Sequence, residues 1–172
     1  MVGRPVRVLM VEDDEDDFLL TREHLAEIPG GRFDLDRAAT FQAGLDAIAR
    51  NEHDVYLLDY RLDGHDGLEL LREAIRRGCR APLILMTGVG DQEVDLEAMR
   101  AGAADYLVKD QINGPTLERS IRYAEDVLLE VLGKREVANA SSLQLIPGEP
   151  REVHRHLRGR AVHEEKAQLG VL

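Results

Sequence analysis

A chain of 172 residues with 44% hydrophobic and 32% charged residues has room for one core of ordinary size and the balance of a globular protein, not of a disordered, collagenous or membrane chain. Its formal net charge of −11 argues against a protein built to grip phosphate backbones. The single cysteine, Cys79, excludes an internal disulfide and a cysteine-based zinc site, and points to a reducing cytoplasm. The longest apolar stretch, residues 81–86, is far too short to cross a membrane, and Met1 to Pro5 lead into no signal-type apolar segment.

In chain order, Val6 to Val11 is an apolar, β-branched run suited to a strand covered on both faces. An acidic stretch, Glu12 to Asp17, follows. Phe18, Leu25 and Ile28 then recur at helical spacing until Pro29-Gly30-Gly31. A weaker strand is predicted over Phe33 to Ala38, and Thr40 is placed to cap a helix carrying Phe41, Leu45 and Ile48 on one face. Val55 to Leu58 is a third strand, ended by Asp59. Its helix shows Leu68, Leu71 and Ile75 in one stripe and closes at Gly78. Leu83 to Met86 is the fourth strand, and Asp91 is placed to cap a helix running to Gly102, with Val94, Ala98 and Ala101 inward and Leu96 and Met99 off that stripe, as on a protein-binding face. Tyr106 to Val108 is the fifth strand. A last helix starts at Gly114-Pro115 and lines up Leu117, Ile121, Ala124, Leu128 and Leu132.

Strands separated by roughly 10 to 15 residues of helical pattern must run parallel, because each crossover has the length of a helix. The expected fold is α/β, a five-stranded, doubly wound parallel sheet of flavodoxin-like (βα)5 type, over residues 1–132, with helices on both faces. Past residue 132 the apolar periodicity fades, and Ser, Asn, Pro and the histidines His154, His156 and His163 enter. Residues 133–172 are therefore expected to be a flexible tail or helical extension, its arginines Arg155, Arg158 and Arg160 suited to acidic contacts, and too short for a DNA-binding output domain.

Open sheets of this kind bind ligands beyond the carboxyl ends of their strands. The residues just past the apolar runs are Glu12 and Asp13, Asp59, Thr87 and Lys109. Three carboxylates gathered there repel, and a divalent cation or a lysine must offset them. An oxygen-only donor set suits Mg²⁺, which is usually held by one or two carboxylates and a phosphate. Thr87 offers a hydroxyl donor and Lys109 a compact positive charge for a phosphoryl oxygen, and Asp59 is the candidate nucleophile. Asp14 to Asp17 need no more explanation than the dipole of the helix they begin.

Val8 to Asp14, Asp54 to Asp59 with Gly67 beyond, Leu85-Met86-Thr87-Gly88 and Ala103 to Lys109 together resemble the receiver domain of bacterial two-component response regulators, in order and at fitting spacing over about residues 6–130. The resemblance implies that Asp59 accepts a phosphoryl group from a phosphohistidine on a sensor histidine kinase or histidine phosphotransfer protein. It implies that Asp13 and Asp59 bind Mg²⁺ directly, that Glu12 helps mainly through water, and that the backbone carbonyl of Arg61 completes the protein ligands. Lys109 and Thr87 would then bind the phosphoryl oxygens, with Thr87 and the aromatic Tyr106 as the switch. A changed surface on the fourth helix, fifth strand and fifth helix would engage a downstream protein target or a second copy, with no direct DNA or membrane contact. Such a domain catalyses only its own phosphotransfer and slow autodephosphorylation. Gly88 leaves room for the phosphoryl group, and Arg61 and Val89 flank the site where water attacks. Asp110 stands where the family usually has proline, so the loop from Lys109 to Pro115 is expected to differ in shape.

Two rivals are weighed against this. A small Mg²⁺-dependent phosphohydrolase of the aspartyl-nucleophile type would show Asp-x-Asp on its first strand and a cap insert, whereas Asp59-Tyr60-Arg61 lacks the second aspartate and follows the third strand. A receiver-like scaffold working without phosphorylation would have no need of the intact acidic set with Thr87 and Lys109.

Overall fold

The structure, a computed structural model, describes residues 4–88, 90 and 92–143, with side chains up to residue 133. Val89, Asp91 and the histidines and arginines of residues 151–163 lie outside the described residues. The chain divides into two units, Met1–Lys134 and Arg135–Leu172, and the fold below is that of the first.

Its elements follow in the order β1 (Val6–Val11), α1 (Glu15–Ala26), β2 (Phe33–Ala38), α2 (Phe41–Arg50), β3 (Val55–Asp59), β4 (Arg61–Leu62), β5 (His65–Asp66), α3 (Gly67–Arg76), β6 (Leu83–Thr87), α4 (Gln92–Ala101), β7 (Asp105–Val108) and α5 (Gly114–Leu143). Five strands form one parallel sheet in the order β2-β1-β3-β6-β7. The chain starts at β1, winds outward to β2, then crosses back to β3 and the far edge. The order therefore reverses between β1 and β3, the switch point where such sheets bind ligands.

The central strands are buried on both faces over most of their length, which is why residues 8–11 of β1, 55–58 of β3 and 83–86 of β6 read as unbroken apolar runs. Alternate side chains divide between two cores. Leu9, Val11, Tyr56, Leu58, Leu83 and Leu85 pack under α2, α3 and α4. Val8, Met10, Val55, Leu57, Ile84 and Met86 pack under α1 and α5.

Local chemistry sets the helix ends. Asp14 caps α1, its side chain accepting from the backbone N–H of Asp16 at 2.8 Å, and Thr40 caps α2 by accepting from Ala43 at 3.1 Å. Asn113 caps α5 through the N–H of Thr116 at 2.9 Å. The buried Ser120 hydroxyl of α5 donates to Asp105 at 2.6 Å and ties that helix to the start of β7.

Two features depart from the sequence pattern. Ile75 is 38% exposed, while Leu70 joins Leu68, Leu71 and Ala74 in the core. The buried face of α3 runs through Leu68, Leu70, Leu71 and Ala74, and Ile75 lies at its rim beside Gly102. The second is the antiparallel hairpin β4–β5, inserted between β3 and α3. Its two-residue turn is Asp63-Gly64, both with positive φ (31° and 82°), as a hairpin turn of the primed class requires. On α4, Val94, Ala98 and Ala101 pack inward, and Leu96 (57%) and Met99 (48%) are exposed. The last helix continues past residue 132 to Leu143. No helix among the described residues is long and apolar enough to cross a membrane.

Candidate functional site

Glu12 and Asp13 leave the end of β1, and Asp59 is the last residue of β3. Because these two strands are neighbours in register, their ends bring the three side chains together, and one carboxylate oxygen from each lies within 4.8 Å of the others. Thr87, buried, ends β6 beside β3, and Lys109 follows β7. All five predicted residues thus sit on one edge of the sheet, beside the switch point.

The lysine binds the group together. Its Nζ donates to Glu12 Oε2 at 2.7 Å and Asp17 Oδ2 at 2.6 Å, and lies 2.9 Å from Asp59 Oδ1. Lys109 opens a single 3₁₀ turn, Lys109–Gln111. With Asp110 in place of proline the chain at this point still carries the ammonium into the pocket. Glu12 has no solvent exposure, and its other oxygen accepts from the N–H of Asp14 at 3.1 Å.

Burial dominates the electrostatics. Desolvation pushes the Glu12 carboxyl up to about 7, against the bond from Lys109 that favours its charged form, with the Asp59 charge adding to the rise. The same cause raises Asp59, opposed by Lys109 and by the backbone N–H of Arg61. Burial alone would lower the Lys109 ammonium, but its bonds to Asp17, Glu12 and Asp59 outweigh that and hold it above its ordinary value.

Three contacts that position the site have no counterpart in the sequence pattern. Arg37, on the edge strand β2, donates from Nε to the carbonyl of Glu12 at 2.9 Å and from its other end to the carbonyl of Asp13 at 2.7 Å. The backbone N–H of Asp63, at the hairpin turn, donates to Asp13 Oδ2 at 3.1 Å. Asp17, readable as a helix-dipole residue, holds Lys109 instead. Its place in the first turn of α1 gives no sequence signal beyond the acidic run that opens the helix. Arg61 lies exposed on β4, and Tyr106 is half-buried on β7 in register with Leu85.

Arg37 is the more exposed to test. Arg37→Ala is expected to lower unfolding free energy by about 1–3 kcal/mol, since two bonds from a charged donor disappear, and to weaken divalent-cation binding by loosening the Glu12-Asp13 backbone. Urea unfolding and a Mg²⁺ titration check both; unchanged values would show the clamp to be idle.

The donor set suits a hard dication. It is oxygen-only, it converges, and one of its members, Asp13, is oriented by a backbone donor from another loop.

An open parallel sheet of order 2-1-3-4-5, with carboxylates, a threonine and a lysine on the carboxyl edge of its strands, is a flavodoxin-like domain of the receiver class. The profile of the response regulator receiver domain matches residues 8–122, and the chain belongs to that family. It is 37% identical over 120 residues to the C4-dicarboxylate transport transcriptional regulatory protein DctD of Pseudomonas aeruginosa, covering 69% of this chain and 24% of that one. It is also 37% identical over 105 residues to the transcriptional regulatory protein FixJ of Azorhizobium caulinodans, covering 61% and 47%. The chain therefore spans less than half the length of these relatives. Among solved structures, a CheY-like response regulator receiver domain protein from Methanospirillum hungatei superposes with a TM-score of 0.64 at 28% identity, covering 74% of this chain and 98% of that one.

Proposed function

We propose that this receiver takes a phosphoryl group onto Asp59 from a phosphohistidine of a sensor histidine kinase or histidine phosphotransfer protein, with Mg²⁺, and signals through protein contacts. One observation carries the reading: Lys109 bridges buried Asp59 and buried Glu12 in a pocket where Asp13 supplies a third carboxylate.

In the transfer, a carboxylate oxygen of Asp59 forms a bond to phosphorus while the phosphorus–nitrogen bond breaks. The imidazole nitrogen keeps the electron pair and takes up a proton. Glu12, Asp13, Asp59 and the backbone carbonyl of Arg61 are the groups that would hold Mg²⁺, Glu12 mainly through water. When bound, the ion neutralises charge on the transferring oxygens. Lys109 supplies a fixed positive charge to one phosphoryl oxygen, and the Thr87 hydroxyl donates to another once Asp59 is modified. Drawing Thr87 toward the dianion frees space that Tyr106, on the neighbouring strand β7, can occupy, and the surface formed by α4, β7 and α5 changes with it. Exposed Leu96 and Met99 on α4 offer that surface to a protein target or to a second copy of the chain. Hydrolysis of the acyl phosphate, with Arg61 beside it, returns the domain to its resting form; no free substrate is turned over. The domain acts in the cytoplasm, where its phosphodonor is found.

The test is incubation with Mg²⁺ and acetyl phosphate, read as intact mass, for wild type and Asp59→Asn. Wild type is expected to gain one phosphoryl group and the variant none. No gain in either would leave the scaffold alternative, and steady release of phosphate from a sugar phosphate would favour the phosphohydrolase.

A further inference from the structure

An ammonium group has three donors, and in this pocket they point to Glu12, Asp17 and Asp59. Two of those carboxylates belong to the convergent trio with Asp13. Asp17 does not: it stands on the first turn of α1, partly open to solvent, and its side chain faces Lys109 at 2.6 Å. Its backbone is fixed independently, with the N–H directed to Asp14 Oδ1 and the carbonyl accepting from the Thr21 hydroxyl at 2.9 Å. The turn that carries the carboxylate therefore does not depend on Lys109 for its place.

When Asp59 carries a phosphoryl group, the Lys109 bond to Asp59 must be remade to a phosphoryl oxygen. Asp17 then keeps a full negative charge one ammonium away from the new dianion and holds one of the donors that the dianion attracts. We propose that Asp17 is a positioning residue that competes with the phosphoryl group for Lys109 and so limits how tightly the pocket holds that group. The inference rests on the reading of Asp59 as phospho-acceptor.

Competition of this kind has a signature that loss of structure cannot imitate. Removing the Asp17 charge makes the pocket less attractive to a cation and more attractive to an anion, so the two affinities move in opposite directions. Asp17→Asn keeps the shape of the side chain and leaves the backbone bonds of α1 intact. Mg²⁺ is expected to bind it about threefold more weakly, and beryllium trifluoride, at saturating Mg²⁺, about tenfold more tightly, as expected for one unit charge removed at close range in a partly buried site. Asp16→Asn, a charge change of the same size on the neighbouring exposed residue, is expected to stay within about twofold of wild type for both.

Titrations of the full chain with Mg²⁺ alone, and with beryllium trifluoride at saturating Mg²⁺, read both constants. Parallel weakening in Asp17→Asn, no change in either, or an equal response from Asp16→Asn would overturn the competitive role while leaving the phospho-acceptor reading in place. A wild type that binds no beryllium trifluoride and behaves like Asp59→Asn would overturn that reading, and the inference with it.

Discussion

Gly67→Ala is expected to cost the protein about 1–3 kcal/mol of stability and to slow phosphorylation at Asp59 by on the order of a hundredfold. Gly67 opens α3, and its N–H donates to the carbonyl of Tyr60 at 2.8 Å. A Cβ built at Gly67 would meet the backbone carbonyl oxygen of Asp59 at 2.2 Å and the Cα of Tyr60 at 2.9 Å. Neither is a flexible side chain that can swing aside. The methyl group can be admitted only if α3 moves off the sheet or the Asp59-Tyr60 segment is displaced, and both are held: Tyr60 by its N–H to the Met86 carbonyl at 2.7 Å, α3 by buried Leu68, Leu70 and Leu71. Displacing Asp59 also misaligns it against Lys109, and misplacement by about an ångström is enough to cost on the order of a hundredfold in a positioned reaction. Urea unfolding and mass measurement after acetyl phosphate treatment report the two effects separately. A variant as stable and as readily phosphorylated as wild type would mean that the helix start yields freely.

How much of this was legible in the sequence depended on whether a residue's role is local. Val6 to Val11, Phe33 to Ala38 and the Thr40 cap follow from side-chain type and spacing alone, and these elements appear with the expected bounds. The carboxyl-edge residues were legible one step further, because a parallel sheet brings the ends of its strands to one side whatever the details of packing. Asp63-Gly64 carried a clear hairpin signal, hidden by the expectation that β3 runs straight into its helix. Arg37 and Asp17 were not legible. One lies on an edge strand whose outward residues alternate with inward ones, and the other in an acidic first turn that the helix dipole already accounts for. Each acquires its role from a partner on a different element: Arg37 from the turn after β1, Asp17 from the segment after β7. Ile75 failed for a related reason, since periodicity places a residue on a face but does not say where the face ends.

Free of divalent metal, the protein is expected to become more stable as pH falls from about 7 toward 4.5. The Glu12 carboxyl sits at about 7 in the folded chain because burial penalises its charge, against an ordinary value of 4.5. Between these values the folded state binds a proton that the unfolded state releases, so stability rises as pH falls and is lost as pH climbs back through 7. A shift of that size corresponds to about 3 kcal/mol. Asp59, raised for the same reason, contributes with the same sign. Asp54 has the opposite sign, its carboxyl held below the ordinary 3.8 by bonds from Arg4 and the N–H of Arg7. Its contribution is complete above that value and disappears only in stronger acid, so the two windows do not overlap. Chemical unfolding in chelator at several pH values between 5 and 8 should therefore show a slope that Glu12→Gln largely removes. Excess Mg²⁺ should flatten or reverse it, because a cation beside Asp13 and Asp59 favours the ionised form of Glu12. A metal-free profile that is flat or rises with pH would mean that Glu12 stays charged in the empty pocket. The bond from Lys109 would then outweigh the loss of hydration, and the resting site would carry its full negative charge without any need of a proton.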